Sequence, residues 1–170
     1  MKRTFRARAV IATTAAAVAV TTAVAVGVAQ AGDRDGNAGT KADKREIAAL
    51  FGQWNAALGT GNPQTVADRY ASDAVLLPTV SPDIRTSRTQ IVDYFEHFLQ
   101  KQPRGEKIRS VIHVLDGDSA IDTGLYRFHL TDPATRKVSP VVARYTYQYE
   151  KRGGKWLIVN HHSSVLPAAG

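Results

Sequence analysis

The first part of the chain has the apolar spacing of helices. Up to about residue 103, apolar positions recur at steps of three and four, which is typical of amphipathic helices that bury one face. The apolar stripe of the first helix consists of Ile47, Leu50, Phe51, Trp54, Ala57 and Leu58. The spacing predicts helices at residues 43–58, 63–70 and 88–100, with a short strand at 74–77. Glycine and proline residues end the first and third helices.

Residues after 105 favour strands, because they are rich in β-branched and aromatic residues and contain short turns. Four long strands are predicted, at residues 107–115, 120–130, 138–150 and 155–164. The third alternates clearly, with Ala143, Tyr145, Tyr147 and Tyr149 on one face. Three N-terminal helices therefore precede an antiparallel meander, an α+β arrangement in which the helices must cover one sheet face. We expect a strongly curved, mainly antiparallel sheet that forms a cone around a pocket.

The first 31 residues have the pattern of a signal peptide. Residues 1–8 carry four basic residues and no acidic one, and an uncharged run of mostly alanine, valine and threonine follows to residue 29. The run ends in Ala29-Gln30-Ala31, which predicts cleavage after Ala31 and a secreted protein. An uncleaved membrane anchor is the alternative, since the apolar run is long enough to span a bilayer. Residues 32–42 are predicted to be a flexible linker, and residues 43–167 the folded domain.

Charge and cysteine content narrow the class of protein. The chain has 22 Lys and Arg against 15 Asp and Glu, a net charge of +7. Removal of residues 1–31 takes away four positive charges and no negative ones, which leaves +3. The basic excess is therefore mostly part of the export signal, and we predict no nucleic-acid partner and no membrane contact beyond export. The chain has no cysteine, so its core must be stable without disulfides.

Two acid–base candidates lie in the predicted strands. Asp122 follows Ile121 in a strand, where a buried carboxylate is costly unless it is paired, and it would act as a general base beside a hydrogen-bond donor such as Tyr126. His161 is the predicted pocket-facing member of a histidine pair, on the same face as Leu157 and Val159. A purely structural role for Asp122 and for His161 remains open.

The sequence predicts neither a metal nor a cofactor. Adjacent residues of a strand point to opposite faces, so His161 and His162 are poor joint ligands, although a site with His113 and His129 is conceivable. The glycine pair of the last turn has no helix after it, unlike a dinucleotide-binding loop. A nicotinamide-dependent activity therefore has no support in the residues.

Several segments together resemble the NTF2-like superfamily. They include FGQWNAAL at 51–58, YASDAVLLP at 70–78 and GKWLIVNHHSS at 154–164. Within the superfamily, the chain is similar to the bacterial group related to the association (hub) domain of calcium/calmodulin-dependent protein kinase II, which overlaps SgcJ/EcaC-type and SnoaL-like proteins. The resemblance implies a cone with a ligand pocket and assembly through the exposed sheet face. The pocket arginines of the hub fall on Tyr126, Tyr147 and Ser163 here.

The predicted roles follow from the pattern and the resemblance together. Ligand contacts in the cone are predicted for Trp54, Tyr70, Tyr94, Tyr147 and Ser163. Interface residues are predicted to be Arg144, Thr146 and Gln148. Arg127 and Arg144 are expected on the outer sheet face unless a β-bulge shifts the register.

Two classes of function are compatible with these residues. The first is a secreted domain that forms dimers or larger homo-oligomers and binds a small organic ligand, without kinase activity, since residues 32–170 contain no kinase motif. The second is an isomerase, cyclase or dehydratase with Asp122 or His161 as base and Tyr126 as donor, or an SgcJ/EcaC-type oxidoreductase. An open cone with an isolated carboxylate would favour the enzyme.

Overall fold

A computed structural model describes residues 42–168 of the protein. The predicted signal peptide, and the predicted linker apart from residue 42, lie outside the described residues. Within 42–168, no helix is long and apolar enough to cross a membrane.

Three helices lie N-terminal to most of the sheet, as predicted. They are α1 (Lys44–Gly59), α2 (Pro63–Ala67) and α3 (Arg88–Phe98), and a single 3₁₀ turn (Leu99–Lys101) extends the third. A polar side chain caps each N-terminus by accepting a backbone N–H bond; the caps are Asp43, Asn62 and Ser87. Such caps satisfy amide groups that have no partner within the helix.

The sheet contains five strands. They are β1 (Tyr70–Leu77), β2 (Arg104–Val114), β3 (Ser119–Thr131), β4 (Val138–Arg152) and β5 (Lys155–Val165). Strands β2 to β5 form the predicted antiparallel meander, and β1 pairs in parallel with β5, so the order is β1-β5-β4-β3-β2 and the sheet is mixed. The predicted second helix was too long, because Tyr70 already belongs to β1 and pairs with Ile158.

Aromatic side chains from α1 and the inner face of the sheet form the core. Trp54 packs against the rings of Tyr147, at 5.7 Å between centroids, and Phe128, at 6.0 Å. Four tyrosines of β3 and β4 are almost completely buried: Tyr126, Tyr145, Tyr147 and Tyr149. Burial of each large apolar side chain contributes about 1.5–3 kcal/mol, so this layer is the main source of stability.

An asparagine fixes α1 to the first residues of β2. The Asn55 side chain donates to the carbonyl oxygen of Gly105 at 3.0 Å and accepts from its N–H at 2.8 Å. A Cβ at Gly105 would lie 3.0–3.2 Å from side-chain atoms of Asn55, Phe128 and Phe51, which is tighter than usual. Glycine therefore allows the helix to approach the strand this closely without a shift of these side chains.

Gly124 allows a second close approach, within the sheet itself. The β2–β3 register shifts between Lys107 and Arg109, which makes Ile108 the extra residue of a bulge. A Cβ at Gly124 would lie 1.9 Å from the carbonyl oxygen of Arg109. Because that atom belongs to the backbone, it cannot rotate away.

Gly124→Ala is expected to destabilise the fold by about 3 kcal/mol or more, since the clash is larger than ordinary overpacking. Urea unfolding followed by circular dichroism measures the change. The matched control is Gly52→Ala on the exposed face of α1, where a Cβ meets no atom within 4 Å; it should stabilise the protein by about 0.5–1 kcal/mol. Equal stability of Gly124→Ala and the wild type would contradict the close packing at the bulge.

Candidate functional site

The cone is almost completely filled by the side chains of the protein. Its cavity measures about 20 Å³, which is room for about one water molecule. Aromatic rings make up much of the wall, including Trp54, Tyr94, Phe98 and Phe128. No Asp, Glu, Lys or Arg among residues 42–168 lines the cavity. The polar groups that reach it are hydroxyls and one imidazole.

A cluster of three hydroxyl groups forms one polar part of the wall. Tyr126 donates its phenolic proton to Ser163 Oγ, and Ser163 shares a hydrogen bond with Thr79 Oγ1. Burial raises the pKa of Tyr126 to about 12, and the hydrogen bonds to Ser163 and Thr79 partly oppose that rise. The phenol is therefore protonated at neutral pH and donates to Ser163; its predicted role as a donor to a substrate stays a prediction.

His161 forms the other polar part, and its hydrogen bonds determine its tautomer. The Trp54 indole N–H donates to the Tyr70 hydroxyl at 3.1 Å, and this hydroxyl lies 2.9 Å from His161 Nδ1. Because an indole N–H can only donate, the Trp54 N–H, the Tyr70 hydroxyl and His161 Nδ1 all have partners when Tyr70 donates to Nδ1. The imidazole proton is then on Nε2, which is buried without a partner among residues 42–168.

The surroundings of His161 keep it neutral. The imidazole stacks on the ring of Tyr147, with 4.1 Å between the centroids. Burial, with a smaller contribution from the charge of His162, lowers the pKa of His161 to about 3. A general base that titrates near neutral pH would need a much smaller shift, so this imidazole is a hydrogen-bond donor rather than a base at neutral pH.

The face of β5 that carries His161 differs from the prediction. The register of β4 and β5 shifts so that Gln148 pairs with Asn160 while Tyr149 pairs with Ile158, which leaves Val159 as the extra residue of a bulge. His161 consequently shares the buried face with Ile158 and not with Leu157 and Val159, which are half-buried. Strict alternation fails across a bulge.

Asp122 lies outside the cone cavity and is fully engaged in hydrogen bonds. It is completely buried and accepts from Lys107 Nζ at 2.7 Å, Ser110 Oγ at 2.6 Å and the Tyr145 hydroxyl at 3.0 Å. These donors come from β2 and β4, on both sides of β3. The geometry favours the structural role for Asp122, because a carboxylate with three donors and no access to the cavity cannot reach a substrate there.

The cavity wall contains some of the predicted ligand contacts but not all. Trp54, Tyr94 and Ser163 line it, as do Tyr126 and His161. Tyr70 and Tyr147 do not; both rings stack on the imidazole of His161. Although both were predicted to contact a ligand, their side chains are buried in the core and do not form part of the cavity wall.

The outer face of the sheet carries a second, larger cavity of about 550 Å³. Arg144 and Thr146 of the predicted interface line it, whereas Gln148 does not. The β3–β4 pairing has no bulge, so Arg127 and Arg144 stay on the outer face. Sequence reasoning missed Arg109 and His162, which also line this cavity. The pairing of the strands brings Arg109 and His162 to this cavity, and the sequence does not predict that pairing.

Within residues 42–168, no group of three or more His, Cys, Asp or Glu side chains is arranged to hold a metal ion. His113 and His129, the conceivable partners of a zinc site, are both exposed.

A family model decides which family the chain belongs to. The model of the calcium/calmodulin dependent protein kinase II association domain matches residues 43–167. The chain belongs to this association domain family. A crystal structure from Xanthomonas campestris, described as such an association domain, is 58% identical and superposes with a TM-score of 0.73 over 75% of this chain and 91% of that one.

More distant structures share the fold alone. An NTF2-like superfamily protein from Salmonella enterica is 16% identical, with a TM-score of 0.64 over 74% of this chain and 92% of its own. A ketosteroid isomerase-like protein from Erwinia carotovora is 17% identical, with a TM-score of 0.59 over 71% of this chain and 94% of its own. The association domain therefore has the NTF2-like fold that the sequence predicted. Among curated proteins, none matches the chain.

The neutral His161 of this association domain predicts a pH-dependent stability. Between pH 6.5, its ordinary pKa, and its folded value of about 3, the unfolded chain binds a proton at His161 that the folded chain does not. Stability therefore falls as the pH falls through this window, by about 1.4 kcal/mol per pH unit from this group.

Urea unfolding of the wild type and of His161→Gln at pH 7, 6, 5 and 4 measures this effect. The variant should be less stable at pH 7 and lose less stability on acidification. His113→Gln, an exposed substitution that retains His161, is the control and should keep the wild-type slope. Parallel pH profiles for the wild type and His161→Gln would contradict a buried neutral imidazole.

Proposed function

We propose that this association domain is an exported, non-catalytic assembly module that associates with copies of itself through the outer face of its sheet. The observation that carries the proposal is the filled cone. The inner sheet face packs against the helices in the hydrophobic core. The cavity of the cone has room for about one water molecule and is too small for an organic substrate. The outer face carries a larger cavity, of about 550 Å³, that is open to a partner.

The outer face has features of a self-associating surface. Arg144 and Thr146 lie in its cavity beside the apolar side chains of Val111 and Leu125. A symmetric dimer would place the same patch of each copy against the other, and a stable interface of this kind buries about 800 Å² on each partner. The family name refers to association, which also supports this use of the domain.

Export is supported by the sequence of the first 31 residues, and an extracellular location suits a domain that contains no cysteine. The enzyme alternatives have less support. An isomerase, cyclase or dehydratase needs a base at the cavity, and Asp122 is bound by Lys107, Ser110 and Tyr145 instead. An SgcJ/EcaC-type oxidoreductase would need a cofactor site, and no phosphate-binding loop is present in the sequence. A kinase activity has no support, because residues 32–170 contain no kinase sequence motif.

Sedimentation velocity of protein purified from the culture medium tests the proposal. The intact mass should correspond to residues 32–170, and the protein should sediment as a dimer or larger species at tens of micromolar. Thr146→Arg, which adds bulk and charge to the centre of the outer cavity, should shift the distribution toward monomer. Lys137→Glu, in the exposed loop before β4, is the charge-changing control and should not. A monomeric wild type would contradict the proposed assembly.

Binding of a small organic ligand in the cone, which the sequence predicted, also has less support. The Nε2–H of His161 is buried without an acceptor among residues 42–168, and such a donor is costly. The cavity that His161 lines has room for about one water molecule. We therefore propose that this donor binds a single water molecule and that the cone admits no organic ligand.

Ligand-observed NMR with cyclopentanone, a small neutral probe with an acceptor oxygen, tests the filled cone. Neither the wild type nor His161→Phe, which keeps a flat ring but has no N–H, should show saturation transfer to the probe. Circular dichroism of the variant checks that it is folded. Transfer with the wild type that His161→Phe loses would show a ligand inside the cone and contradict the proposal.

A further inference from the structure

The outer cavity is built from two neighbouring cross-strand rows. One row joins Val111, Thr123, Thr146 and His162, and the next joins Arg109, Leu125, Arg144 and Ser164. Arg109 and Arg144 lie two strands apart in the same row, which is about 10 Å at the usual strand spacing. His162 is the diagonal neighbour of Arg144 on β5, at about 7–8 Å. Arg109 and Arg144 therefore flank Leu125 on its two neighbouring strands, and His162 lies beside Arg144 on the next strand.

These three side chains have no counter-charge. None of Arg109, Arg144 and His162 makes a side-chain hydrogen bond or an ion pair within the described part of the chain, and no acidic side chain lines the cavity. Two other arginines of the sheet are paired with acidic side chains. Arg127 pairs with Glu106 at 3.2 Å, and Arg152 pairs with Asp73 and Glu150. The outer cavity is thus a concave surface with uncompensated positive charge.

We infer that the outer cavity binds a small multivalent oxyanion, such as phosphate, sulfate or the phosphate group of a monoester, between Arg109 and Arg144. Guanidinium groups bind such anions through paired, charge-assisted hydrogen bonds. The His162 ring nitrogens and the Ser164 hydroxyl supply further polar groups at the rim. Thr123 and Thr146 contribute less, because their hydroxyls hydrogen-bond to each other and to the Tyr145 carbonyl.

The shape and the charge of the cavity favour a small ligand. Its volume of about 550 Å³ is in the range of about 300–1,000 Å³ that is usual for small-molecule sites. The apolar floor of Val111 and Leu125 would contact a carbon group attached to the anion. A bound anion would also reduce the repulsion between arginines if two copies pair through this face, although the inference does not depend on that pairing.

Isothermal titration of the wild type with sulfate, phosphate and phenyl phosphate, in chloride buffer of constant ionic strength, tests the inference. We expect saturable binding of each, weakened about tenfold or more by Arg109→Gln and by Arg144→Gln, since each removes a charged hydrogen-bond donor. Arg127→Gln is the matched control, because Arg127 lies on the same face but already pairs with Glu106; its affinity should equal that of the wild type. Circular dichroism checks that each variant is folded.

The anions distinguish the source of the ligand. Equal affinities for phosphate and phenyl phosphate would assign the site to a free oxyanion, and tighter binding of phenyl phosphate would assign it to a monoester. Absence of saturable binding, or unchanged affinity in the Arg109→Gln, Arg144→Gln double variant, would overturn the inference. Sedimentation in the same buffers distinguishes failure of the proposed self-association from failure of the anion site. A protein that is monomeric but binds sulfate would refute the self-association and support the anion site.

Discussion

The position of the Trp54 indole ring determines both the packing and the chemistry of the cone. Its ring occupies the space between α1 and the inner face of the sheet, against Phe95, Tyr147 and His161. Its N–H also begins the chain of hydrogen bonds that runs through Tyr70 to His161. The Trp54 ring therefore fills space that a substrate would need. Its N–H also determines the tautomer of His161, the only histidine among residues 42–168 that lines the cavity.

The two faces of the sheet differ in how their charged side chains are paired. On the inner face, Lys107 supplies the counter-charge of the Asp122 carboxylate, and the hydroxyls of Ser110 and Tyr145 donate hydrogen bonds to it, as a completely buried charge requires. On the outer face, Arg109 and Arg144 remain exposed and unpaired within the described residues. A scaffold of this kind supports many activities in principle; here the inner face is occupied by the hydrophobic core, and the proposed binding surface is the outer face.

The sequence predicted the elements well and the details that depend on register less well. Helical spacing located α1 and α3, and alternation located the strands, because both patterns arise from one buried face. The β-bulges at Ile108 and Val159 carry no clear sequence signal, and the second of them changes which neighbours His161 has. The buried role of Asp122 likewise depends on Lys107 and Ser110, which come from another strand. The free volume of the cone is a property of packed side chains and could not be predicted from residue types.

A high-resolution crystal structure of the protein tests the central claim most directly. We predict that the rings of Trp54, Tyr94 and Phe128 enclose the cone as described and that its interior holds at most a single ordered water, within reach of His161 Nε2. Density for an organic molecule inside the cone, with Trp54 or Phe98 rotated away from its present position, would contradict the account.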